Sequence, residues 1–301
     1  MAKNKKASCR IISVVNQKGG VGKSTSAVNV SAYLGQNGFK TLLIDMDPQS
    51  NATSGLGIYP EDIKKSTYDA IINFEIPVKT IIKTDYKNLD IMPSSEKLSG
   101  AEVELVSNFK REYRLKDILD QLHDDYDYIL IDCSPALGLL TINALTASGE
   151  VLIPLQCEYY SLEGIARLLK TVDLVKHNLN KKLEISGVVM TMYSRTRLSD
   201  QTVKEIRKYF PGKVFKTIIP RNIRLAEAPS FGKPILSYDP GCRGARAYES
   251  LTKELIDRHR YKLKERELKK EIEPLSKKIK VFWDTGAAPR HATSRKKNNH
   301  K

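Results

Sequence analysis

No Cys-x-x-Cys pair occurs in this chain of 301 residues, and its four cysteines, Cys9, Cys133, Cys157 and Cys242, lie far apart. That spacing argues against both a zinc site and a disulfide framework, and four reduced, mostly buried thiols are expected. Long apolar runs are missing too. No window approaches the roughly 18 apolar residues of a membrane-spanning helix, and the basic start MAKNKKASCR leads into a short strand-like run instead of a signal peptide's apolar region. A cytoplasmic protein is expected. There is no low-complexity break before the C-terminus, and 41% hydrophobic with 28% charged residues fits an ordinary core. One large domain is the simplest organisation.

Positive charge is abundant but uneven. Residues 1–10 hold four basic and no acidic groups, and residues 258–301 hold fifteen basic and five acidic, so of the formal +15 only +1 is left for residues 11–257. A basic protein is therefore not a basic surface throughout. Within the body, Tyr193 to Lys233 carries ten basic and three acidic residues, the better candidate for contact with a polyanion. The chain reads as a basic N-terminal segment, 1–10, a body, 11–257, and a basic extension, 258–301. The extension reads as helical, interrupted by Pro274, and disordered from about Asp284.

Short β-branched runs recur at Ile11–Val15, Thr41–Asp45, Leu89–Met92, Tyr128–Ile131, Val151–Leu155, Ile185–Thr191 and Val214–Ile219. Helix patterning fills the intervals: Lys23–Asn37, Ala101–Val106, Leu115–His123, Leu139–Ala147, Leu162–Asn178, Asp200–Tyr209 and Gly244–Arg258. Alternation of this kind predicts an α/β fold with an open, mostly parallel twisted sheet flanked by helices. Ligands of such sheets sit beyond the carboxyl ends of the strands.

The first strand runs into Asn16-Gln-Lys-Gly-Gly-Val-Gly-Lys-Ser-Thr, with a helix starting near Lys23. Gly19, Gly20 and Gly22 permit backbone angles closed to other residues, so successive N–H groups can face phosphate oxygens. The helix N-terminus adds partial positive charge. Lys23 is placed for the β- and γ-phosphates, Ser24 for Mg²⁺ and Thr25 for the α-phosphate. A usual P-loop, Gly-x-x-x-x-Gly-Lys-Ser/Thr, needs glycine at position 17, where this chain has Gln17. The segment from Lys18 through Gly19, Gly20, Val21, Gly22, Lys23 and Ser24 to Thr25 resembles instead the deviant Walker A box of the ParA/MinD superfamily.

That resemblance implies an ATPase that uses ATP and Mg²⁺, with Lys18 as the signature lysine whose ammonium crosses a dimer interface to the partner's nucleotide. An independent charge argument agrees. ATP with Mg²⁺ keeps about two negative charges, and two facing nucleotides would repel in a dry interface without cations between them. IDMDPQSNATSGLG is similar to the family's switch I, which makes Asp47 the residue that orients the attacking water. Asp132, ending an apolar strand at a Walker B position, is expected to hold Mg²⁺ through a water. Cys133 belongs to no cysteine constellation of the kind an iron–sulfur cluster needs.

NATSGLGI, IDCSPALGLLTINALTAS, VLIPLQCEYYSLEGI and IPRNIRLAEAPSFGKPI resemble the partition ATPases ParA and Soj, from about Ile11 to Leu255. By that resemblance Pro220 and Asn222 border the adenine ring, although a turn approaching a helix would use the same residue types. Arg195 and Arg224 match DNA-contacting arginines, with Arg197, Lys213, Lys216, Arg221 and Lys233 as helpers. The family implies a homodimer with ATP, non-specific double-stranded DNA, and a ParB/Spo0J-type centromere-binding protein as partners, and a nucleoid-associated location in the cytoplasm without stable membrane association. The alternative is a MinD-like membrane-cycling ATPase regulating cell-division placement, with the C-terminal extension as anchor; Pro274 and a sparse apolar stripe weigh against it. A small-molecule ligase or metal reductase on the same fold would need a substrate pocket that no sequence feature marks.

Overall fold

The computed structural model describes residues 9–158 and 161–261. The chain divides after Glu254, and everything below concerns the first unit; of the second, residues 255–261 are described and are helical. The expectations for residues 1–8 and for the extension beyond Tyr261 lie outside the described residues.

Seven strands, β1 Arg10–Val14, β2 Thr41–Met46, β3 Ile82–Lys83, β4 Leu89–Met92, β5 Tyr128–Cys133, β6 Glu150–Gln156 and β7 Glu184–Thr191, form one sheet in the order β3-β4-β2-β5-β1-β6-β7. All pairings are parallel except β3 with β4. Every residue of β2 and β5 is buried, the pattern of a strand covered by helices on both faces. The longer covering helices are α1 Lys23–Gln36, α4 Leu98–Leu105, α6 Leu139–Ala147, α7 Ser161–Asn178 and α8 Arg197–Tyr209. Short helices α2 Asn51–Ser54, α3 Thr67–Ile71, α5 Arg114–Leu119, α9 Ile223–Glu227 and α10 Ile235–Tyr238 stand between them, and a last helix, α11, runs over residues 243–254.

The expected fold class is therefore the one observed, with six of the seven expected strands in place. Val214–Ile219 is the correction. Phe215 N donates to Val188 O and Ile219 N to Met190 O, so both ends touch β7. Between them, Lys216 N and Thr217 N donate instead to the Glu254 carboxylate of α11 at 2.8 and 3.0 Å. The ladder breaks there, leaving isolated bridges at Val188–Val214 and Tyr193–Pro220. Gly187 of β7 makes room for the buried Phe215 ring, which covers the place a Cβ would take. The strand the pattern did not announce is β3, whose two residues pair antiparallel at the sheet's edge.

Strand order does the essential positioning. Because β5 lies between β1 and β2, Asp132 pairs in register with Val14 on one side and Asp45 on the other. The loop after β1, the turn after β2 and the end of β5 thus meet at one sheet edge. Cys133 and Cys157 are buried, whereas Cys9 and Cys242 are half-buried. Burial pushes both buried thiols up, Cys157 to about 12. Alkylation of the native protein by iodoacetamide is expected to modify Cys9 and Cys242 well before Cys133 and Cys157, read by peptide mass spectrometry.

Candidate nucleotide site

The loop between β1 and α1 is tied down by side chains from three strand ends. Asn16 Nδ2 donates to Pro154 O at 2.7 Å, and Asn16 Oδ1 accepts from Lys18 N at 2.9 Å. Gln156, ending β6, donates to Gly20 O at 3.1 Å, and the Thr191 hydroxyl, ending β7, donates to Val21 O at 2.9 Å. Gly20 and Gly22 adopt left-handed angles, φ +72° and +87°, and Gly22 O receives the first α1 hydrogen bond, from Ser26 N. A Cβ on Gly19 or Gly20 would meet no protein atom within 4 Å. Both glycines border a cavity of about 370 Å³ that Gly22, Lys23, Ser24, Thr25 and Asp47 also line.

The two lysines differ sharply. Lys23 is 6% exposed, and its ammonium spans the loop to Lys18 O at 3.2 Å. Burial holds its pKa below the usual lysine value, with the Asp132 and Asp47 charges opposing the shift. Lys18 is 43% exposed and pairs with Glu158, itself 58% exposed, at 2.7 Å.

Beneath the loop lies a concentration of negative charge. Asp45 is fully buried and accepts from Asp47 N, Thr53 N and the Thr53 hydroxyl at 3.0, 2.9 and 2.7 Å. Burial nevertheless pushes its pKa up to about 6 against those bonds. Asp132 is more extreme: both carboxylate oxygens are buried without a hydrogen-bond partner among the described residues. Its pKa is driven up by burial and then by the Asp45 charge, while the Ser24 hydroxyl, nearby but outside hydrogen-bond geometry, and the Lys23 charge act the other way. A buried, unpartnered carboxylate is costly, and a divalent cation is a natural partner for it. Among the described residues no three acidic, cysteine or histidine side chains converge as a metal cage. Mg²⁺ held near Asp132 and Ser24 would therefore take its other ligands from phosphate and water, as this hydrated ion commonly does.

A second cavity of about 430 Å³ continues from the first, sharing Gly22, Thr25, Met192 and Pro229. Pro220 and Asn222 line it, with Thr191, Ile219, Arg221 and Tyr248. Asn222 also does what its alternative reading required, since its Oδ1 accepts from Leu225 N at 3.3 Å and caps α9. Sequence reasoning missed Gln156, Thr191 and Met192, whose roles arise only when strand ends assemble. Asn29 was missed too; its amide bridges Thr25 O and Ile235 N at 2.8 and 2.7 Å, and its spacing on α1 marks it as no more than helix interior.

Arg195 and Arg224 are both exposed on the surface beyond the β7 end, where Arg221 N donates to Tyr193 O. They differ in charge balance: Arg224 pairs with Glu227 at 2.9 Å and Asp239 at 3.4 Å.

Two adjoining cavities, one floored by glycines and a helix N-terminus, the other walled by apolar groups, define a P-loop nucleotide-binding protein. The AAA domain family model matches residues 9–185. The sporulation initiation inhibitor protein Soj of Bacillus subtilis is 54% identical over 247 residues, spanning 82% of this chain and 98% of that protein. The chromosome-partitioning ATPase Soj of Treponema pallidum is 52% identical over 246 residues, 81% of this chain and 96% of its own. Among solved structures, cobyrinic acid a,c-diamide synthase of Mycobacterium smegmatis with bound ATP analog and magnesium superposes with a TM-score of 0.73 at 33% identity. That match covers 82% of this chain and 94% of the other. The chain belongs to the ParA/Soj family of the ParA/MinD superfamily. It is an ATPase, and ATP with Mg²⁺ is its cofactor.

Gly20→Ala separates fold from site. The left-handed angle costs an added methyl about 1–2 kcal/mol, so the melting temperature is expected to fall modestly. ATP affinity, measured by calorimetry, should fall at least tenfold, because the methyl lies in the phosphate cavity.

Proposed function

We propose that the chain is a DNA-partition ATPase in which ATP joins two copies, the pair binds DNA without sequence preference, and slow hydrolysis releases it. The observation that carries this reading is the division of labour between the lysines. Lys23 is buried under the loop, whereas among the described residues the Lys18 ammonium is held only by an exposed ion pair. Pairs of that kind are worth about 0–1 kcal/mol, so Lys18 exchanges Glu158 for a facing subunit's phosphates at little cost. The name of the Treponema pallidum relative, a chromosome-partitioning ATPase, supports partition as the process.

In this reading Asp47 orients water in line with the γ-phosphate, and Asp132 and Ser24 hold the hydrated Mg²⁺, which when bound neutralises charge on the transferring phosphoryl group. Pro220 and Asn222 border the base. Arg195 and Arg224 contact DNA phosphates, and pairing two copies doubles those contacts. A ParB-type protein on a centromere-like site stimulates hydrolysis. Among the described residues no helix is long and apolar enough to cross a membrane.

Lys18→Ala is expected to bind ATP but stay monomeric by light scattering at saturating ATP·Mg²⁺; a dimer of undiminished stability would refute the role of Lys18. For DNA, anisotropy with ATP across salt should give log affinity falling with log salt at a slope of roughly −4 to −7. Arg195→Ala should flatten that slope by about 2, one contact from each subunit. Arg224→Ala should flatten it less, since Glu227 and Asp239 already compete for that guanidinium. An unchanged slope in both variants would move the DNA surface elsewhere.

A further inference from the structure

The segment Asp47–Ser54 is a thin wall. Asp47, Gln49, Asn51 and Ser54 line the phosphate cavity on one face. Pro48, Gln49, Ser50, Thr53 and Ser54 line a different cavity of about 570 Å³ on the other, together with Ser94. Close packing locates its buried residues Ala52 and Thr53, while Pro48, Gln49 and Ser50 stand between open spaces. Ser50 within it holds a left-handed angle, φ 54°, a conformation that persists in a non-glycine residue only when its surroundings impose it.

Its own backbone bonds hold it, Ser50 N donating to Asp47 O at 2.9 Å and Ser50 O accepting from Ser54 N at 3.0 Å. Asp47 N donates to Asp45 Oδ1, and Gln49 N to Asp47 Oδ1, both at 3.0 Å, but these ties are local to the turn. One residue from a different part of the sheet reaches the wall: Ser94, two residues beyond β4 and completely buried. Its hydroxyl donates to Asp47 O at 2.6 Å, and its backbone N donates to Thr53 Oγ1 at 3.0 Å. The Thr53 hydroxyl spends its single proton on Asp45 Oδ2 at 2.7 Å, so it is free to accept from Ser94. Ser94 thus grips the wall at both ends, at Asp47 and at Thr53, and ties it to the strand beside β2.

We propose that Ser94 is a positioning residue for ATP hydrolysis: by holding the Asp47 carbonyl and the Thr53 hydroxyl it sets where the Asp47 carboxylate stands relative to the γ-phosphate. The proposal rests on Asp47 as the water-orienting group. Its physical basis is that orientation of an attacking water tolerates little displacement, about 1 Å being enough for a large rate loss. The loop after β1 carries the phosphate-binding groups and the wall only borders the same cavity, so the larger effect is expected on turnover.

The experiment uses the full chain with Ser94→Ala, Ser94→Thr, Asp47→Ala and the double variant Ser94→Ala/Asp47→Ala, with turnover at saturating ATP·Mg²⁺, ATP affinity and melting temperature measured for each. Ser94→Ala is expected to lower turnover about tenfold, the scale of one buried hydrogen bond, with ATP affinity within twofold of wild type. Ser94→Thr, which keeps the hydroxyl, should recover part of the loss, and Ser94→Ala should change nothing further once Asp47 is alanine. Wild-type turnover in Ser94→Ala beside a dead Asp47→Ala overturns the role of Ser94 alone. Loss of turnover and affinity together in Ser94→Ala makes Ser94 structural and overturns it as well. Wild-type turnover in Asp47→Ala overturns the reading of Asp47, and the role of Ser94 with it.

Discussion

Three carboxyl groups and one ammonium, Asp45, Asp47, Asp132 and Lys23, are gathered under a single loop, each at most 6% exposed. One buried cation cannot balance three buried carboxyl groups if all ionise, and protein hydrogen bonds satisfy only part of the deficit. Asp45 has three donors, whereas Asp132 has none among the described residues. Isolated buried charge is among the most expensive features a fold can carry. Its upward-shifted carboxyl groups show the direction of the strain. In the proposed reading Mg²⁺ would relieve it by supplying positive charge where the fold leaves negative charge unpaired, and the phosphates that come with the ion would meet Lys23 and the N-terminus of α1. The site is therefore built to be incomplete by itself.

That incompleteness follows from topology. Placing β5 between β1 and β2 puts Asp132 in register with Asp45, and no side-chain adjustment could separate them. The same strand order holds the glycine loop over both, with Gln156 and Thr191 reaching in from β6 and β7. The strands fix the charges, and the short turn after β2 carries Asp47 at the edge of the phosphate cavity. In the proposed reading, phosphate binding rests on the loop held by the strand ends and hydrolysis on the turn that carries Asp47.

Much of this was legible in the sequence because it is local. Glycines at 19, 20 and 22 between a β-branched run and a helix define a phosphate loop whatever surrounds them, and Lys18 stands out against the usual pattern at once. Asp47 and Asp132 each end a strand-like run, so their shared edge followed from the α/β alternation. What stayed hidden is held by partners far along the chain. Val214–Ile219 has strand composition, yet Glu254 takes its central amides and Phe215 turns onto Gly187. Ser94 and Thr53 look like turn residues until β4 is placed beside β2. Arg224 reads as a free cation until Glu227 and Asp239 fold against it.

The charge deficit at Asp132 is the point on which the account turns, and the thermal melting of Asp132→Asn, with and without Mg²⁺·ATP, tests it most directly. Removing a buried negative charge that has no partner should raise the melting temperature of the nucleotide-free protein while shrinking the further rise that Mg²⁺·ATP brings to wild type. A nucleotide-free variant that melts below wild type, and still gains the full stabilisation from Mg²⁺·ATP, would contradict it.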